Sequence, residues 1–112
     1  MAKHGRSTEE ILHDAQFHFG LAVQHANGDL GSQLTVDAVC MRLAAGVESL
    51  SHLDEDVRDR MFGAAWASMW GMRNRIAHGY LLVSQDVVRV TVKEDLPSVL
   101  DTIAKELSTA DG

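Results

Sequence analysis

Leu81-Leu82-Val83-Ser84-Gln85-Asp86-Val87-Val88-Arg89-Val90-Thr91-Val92 is the stretch on which the fold class turns. Its β-branched residues, broken by a polar Ser84-Gln85-Asp86, read on propensity as a β-hairpin. The competing reading is a helix capped by Ser84, its valines placed by packing rather than by preference. The first makes the chain a mixed α/β domain; the second makes it entirely helical. Residues alone leave both open.

The sequence on either side is less ambiguous. From Ala64 a helical run carries Trp66, Met69, Trp70 and Ile76, and Gly79 suits its end. Beyond the valines, Pro97 fits the first turn of a last helix, with Val99, Leu100, Ile103 and Leu107 facing inward. Near the start, Ser7 with Glu10 three residues later makes a capping box. Ile11, Ala15, Phe19, Ala22 and Ala26 follow at helical spacing. Asn27-Gly28-Asp29-Leu30-Gly31-Ser32 is a turn cluster. A second helix is expected after Thr35, burying Val36, Val39, Cys40, Leu43, Val47, Leu50 and Leu53. Asp54 caps a short third helix with Val57 and Met61. These elements predict a bundle of four or five helices, with the valine stretch still open, in one domain spanning residues 1–112 with a structured core over residues 7–108.

The chain has 112 residues and a formal net charge of −6. One core fits that length, with modest reserve that self-association would supplement. No apolar run approaches the roughly 20 residues of a membrane span, and the polar N-terminus lacks the apolar core of a signal peptide. The single cysteine, Cys40, cannot form an internal disulfide, so a cytoplasmic location is expected. His4, His13, His18, His25 and His52 are dispersed, and no spacing resembles a metal site. The acidic balance argues against holding a polyanion by general electrostatics. A nucleic acid must meet a local positive patch or only a few residues.

The densest set of functional side chains is Arg73-Asn74-Arg75-Ile76-Ala77-His78-Gly79-Tyr80. On a helix Asn74 and His78 lie one turn apart, and Arg73 and Tyr80 share a neighbouring strip. The group suits a phosphodiester. Histidine both takes and gives a proton near neutral pH, and an arginine fork holds two phosphate oxygens and stabilises developing charge. By itself an Arg-to-His spacing also arises where cations complement a helix C-terminus.

The order Arg73-Asn74, His78, Gly79-Tyr80 resembles the Arg-x4-6-His motif of HEPN ribonucleases, in the form carried by the HepT toxin family. Trp66 followed by Gly71-Met72-Arg73-Asn74 is similar to that family's approach to the motif, and Asp95-Leu96-Pro97 follows at the family's interval. Glu48 stands in the place of the family's helix glutamate. The likeness covers about residue 8 to residue 107. Three positions depart from it: Val47 stands where the family has glycine, with Gly46 one earlier; Arg89 replaces a tryptophan; and Ala65 replaces a proline.

The resemblance implies an all-α HEPN-type fold, and so a helix starting near Ser84. It further implies a homodimer with the two motifs facing each other. The implied activity is a metal-independent endoribonuclease toxin of a type VII toxin–antitoxin system, with no cofactor. In it a ribose 2′-OH attacks the adjacent phosphate, Arg73 and His78 are catalytic, and Asn74 and Glu48 are auxiliary. Arg75 could add positive charge. The implied partner, besides RNA, is a minimal nucleotidyltransferase antitoxin of the MntA type, which transfers AMP to Tyr80. A different class is also compatible: a non-catalytic HEPN helical module that binds a nucleotidyltransferase or a nucleotide.

Overall fold

A computed structural model describes residues 6–79 and 83–111, all of it helix and connecting turns. Helix α1 (Thr8–His25) opens with the expected capping box, in which Glu10 N–H donates to Ser7 Oγ at 3.1 Å and Ser7 N–H to Glu10 Oε1 at 2.9 Å. Helix α2 (Gln33–Leu50) starts three residues earlier than a helix following Thr35 would. The turn cluster closes sooner because Asp29 Oδ1 accepts from Gly31 N–H at 2.8 Å. That leaves Ser32 free to act as N-cap. Gln33 then pairs with Asp37 across the first turn at 2.7 Å.

The two long helices form a hairpin around a common core. Phe19 and Leu12 of α1 and Val39, Cys40 and Leu50 of α2 are among its most deeply buried side chains. They approach closely at Gly46, where a Cβ would overlap the Phe19 ring. A short α3 (Glu55–Phe62) buries no residue fully and rests on Val57 and Met61. It is tied to the far end of the chain by a two-pronged pair, Arg60 to Glu106 at 3.0 and 2.8 Å. Gly63 ends it with φ +54. Helix α4 (Ala65–Gly79) lies over α2 with Ile76 buried and Trp66, Met69, Trp70 and Met72 half-buried.

The valine stretch is helical where it is described. Ser84 caps α5 (Gln85–Val90), its Oγ accepting from Val87 N–H at 3.2 Å. A single π-helical turn, Thr91–Asp95, follows without a break and passes into α6 (Leu96–Asp111). Burial shows why the helix wins. Val88 and Val92, four apart, are inside, whereas Val90 is 44% exposed. A strand would have put all three on one face. Residues four apart drift ahead of the helical repeat, and the wide turn takes up that drift before Leu96, also buried. Ile103 and Leu107 of α6 complete the core, with Val99 and Leu100 half-buried at its edge. Pro97 is the second residue of α6, in its first turn as expected, although the chain enters that helix from the π turn without a break. Counting α5, the π turn and α6 as one rod, the described residues form a bundle of five helical rods. None of the described helices is long and apolar enough to cross a membrane.

Candidate active site

Helix α4 presents Arg73 and Asn74 toward α2 and ends one and a half turns later beside His78. Gly79 closes the helix with φ +140, a backbone conformation that side chains disfavour. Tyr80 lies outside the described residues.

The structure brings Arg73, Asn74 and Glu48 together. Arg73 NH1 donates to Asn74 Oδ1 at 3.1 Å, and Arg73 NH2 lies 2.9 Å from Glu48 Oε1 on α2. The second contact is ionic rather than an aligned hydrogen bond. Glu48 Oε1 is shielded from water and accepts no hydrogen bond from a described residue. His52 Nε2 stands 3.8 Å from the other carboxylate oxygen and adds attraction only when protonated. The guanidinium also lies 4.8 Å over the Trp70 ring. Arg73 keeps 31% of its side chain exposed, enough for a phosphate to reach it. His78 is not part of this cluster; its ring is exposed in the last turn of α4, and so is neighbouring Arg75.

Three contributors lie outside the motif. Trp70 stacks on Trp66 with ring centres 5.8 Å apart, and Arg58 of α3 covers the Trp66 ring at 4.8 Å. Arg58 also reaches the Ser51 carbonyl at the C-terminal end of α2, at 3.4 Å. The last turn of α2 carries no basic residue of its own. Arg58 and Arg73 approach it from two other helices, where the negative end of its dipole favours cations. The Trp66, Trp70 and Arg73 spacing of four and three was visible in the sequence. Arg58 was not, because only tertiary structure carries it to the stack.

The departures noted above have physical counterparts. Gly46 is where α1 and α2 approach closely, since a Cβ there would meet the Phe19 ring. Arg89 is exposed and pairs with Asp86 at 2.8 Å. Ala65 lines a groove of about 440 Å³ on another flank of α4, floored by Phe19, Val47, Met69 and Met72. Glu94 and Asp95 are at its edge and no cationic residue lines it, so the groove repels a polyanion.

A five-rod helical bundle with arginine, asparagine and histidine at the end of one helix is of the HEPN type. A family profile described as Ribonuclease HepT-like matches residues 22–106, about three quarters of the chain, and the chain belongs to that family. No solved structure matches the chain.

Proposed function

We propose that the chain is a metal-independent endoribonuclease toxin that acts in the cytoplasm as a homodimer. The supporting observation is that, in a HepT-like chain, Arg73 is fixed by Asn74 and Glu48 yet remains partly open, with an exposed histidine beyond it on the same helix. Arg73 holds the scissile phosphate and stabilises the charge of the five-coordinate transition state. His78 moves the proton between the 2′-OH or the leaving 5′ oxygen and solvent. Asn74 and Glu48 orient Arg73. The 2′-OH is the nucleophile, so RNA and not DNA is the substrate, and the products carry a 2′,3′-cyclic phosphate and a 5′-OH. Five residues apart on one helix, Arg73 and His78 leave it in different directions. A two-fold dimer lets the histidine of one copy complement the arginine of the other.

RNA cleavage by wild type, Arg73→Ala and His78→Ala tests this reading. Loss in both variants, with wild-type activity surviving EDTA, supports it; unchanged cleavage in both sinks it. The regulatory part is tested separately. In a type VII system a minimal nucleotidyltransferase partner transfers AMP to Tyr80, placing negative charge beside the site. Intact mass after incubation with that partner and ATP then rises by AMP units, and not in Tyr80→Phe. A second reading, a non-catalytic module binding a nucleotidyltransferase or a nucleotide, draws on the occupied state of the Arg73 fork. It predicts partner binding without cleavage.

A further inference from the structure

The contacts around Arg73 form a continuous stack. Arg58 lies over Trp66, Trp66 over Trp70, and Arg73 over Trp70, at 4.8, 5.8 and 4.8 Å in that order. The tryptophans are inclined to each other by 27°. Both rings are half-buried, which strengthens the attraction of a cation for a ring face relative to open water. Arg58 is anchored in turn at the end of α2 through the Ser51 carbonyl.

A hydrogen bond to Asn74, an ionic contact with Glu48 and one ring-face contact therefore act on the Arg73 guanidinium. The Glu48 contact competes with the phosphate that Arg73 must bind. When an RNA phosphate displaces that carboxylate, one of the three restraints is lost. The ring face of Trp70 is the restraint that does not compete with phosphate, since it takes none of the N–H donors. We propose that Trp70, backed by Trp66 and Arg58, is a positioning residue that keeps Arg73 aimed while its anionic partner exchanges from Glu48 to RNA. This rests on the ribonuclease reading for the identity of the anion, but the aiming itself does not.

The experiment has two arms. Side-chain ¹⁵N relaxation of the Arg73 Nε–H group reads aim directly, without RNA, in wild type, Trp70→Phe, Trp70→Met and Trp70→Leu. Arg73 is expected to be ordered in wild type and Trp70→Phe, and mobile in Trp70→Leu and Trp70→Met. Methionine keeps apolar bulk without a ring face, so it separates aiming from packing should the leucine variant fold poorly. In the second arm, cleavage of single-stranded RNA should lose about tenfold in kcat in Trp70→Leu, with KM within about threefold, and recover most of the loss in Trp70→Phe. An equally ordered Arg73 in Trp70→Met overturns the proposal, as does failure of Trp70→Phe to restore order. If wild type does not cleave RNA while Arg73 still loosens in Trp70→Met, the ribonuclease reading falls and the aiming role stands.

Discussion

Gly46 and Cys40 show how closely the α1–α2 contact constrains single residues. A Cβ at Gly46 falls on the Phe19 ring, itself fully enclosed and unable to retreat. Gly46→Ala is expected to lower stability by about 1–3 kcal/mol, as overpacking does, measurable by urea unfolding. An unchanged midpoint would mean that the helices separate freely there. Cys40 is fully buried, and burial, with a smaller contribution from Asp37, pushes its thiol up to about 11. Native protein should therefore resist iodoacetamide at pH 8 and react once unfolded. Fast labelling of the native chain would contradict the closed packing of α2.

Two elements respond to substitution in opposite ways. Ser84 gives α5 its side-chain cap, so Ser84→Ala should cost about 1 kcal/mol in thermal unfolding. Gly71, in the middle of α4, has nothing within 4 Å of a built Cβ. Gly71→Ala should then raise stability by about 0.5–1 kcal/mol, through helix propensity alone. If that variant is more stable but cleaves RNA poorly, the space above Gly71 is used by RNA or by a second copy.

The same elements show what the sequence made legible. The capping box at Ser7, the apolar stripes of α1 and α2 and the stop at Gly79 follow from local spacing, which is why they are placed nearly as expected. The valine stretch does not, because β-branched residues prefer strands and only the core behind Val88 and Val92 reverses that preference. Of the candidate site, Arg73 and Asn74 are neighbours on one helix, which the sequence makes plain, whereas their meeting with Glu48 depends on how α4 packs against α2. The Arg58 contribution depends on how α3 docks, which no periodicity in the chain encodes.

At the scale of the whole molecule, pH and charge matter most. Arg42 NH1 lies 3.1 Å from His18 Nδ1 across the α1–α2 hairpin. Burial first, and then the Arg42 charge, lower the His18 pKa below its ordinary 6.5. A base with a lowered folded pKa takes up its proton first in the unfolded chain. Its contribution is intact above the unfolded value and is lost as pH falls through about 6.5. Stability should decline as pH falls below about 7, and less so in His18→Asn; an identical decline in that variant would acquit this histidine. The net charge of −6 bears on assembly. If the chain is the dimeric ribonuclease proposed above, cleavage per chain should rise with protein concentration as copies pair. It should also fall only gently with salt, because few phosphates are neutralised. A rate per chain independent of concentration would point to an active monomer.

The stacked tryptophans have one more consequence. They are the only two in the chain, and both belong to the helix that carries Arg73 and His78. All of the protein's indole fluorescence therefore originates beside the proposed site, with a guanidinium at either end of the pair. Unlabelled protein carries its own optical probe of that helix, and RNA, a nucleotide or a partner that pulls Arg73 from its ring can be followed by emission alone.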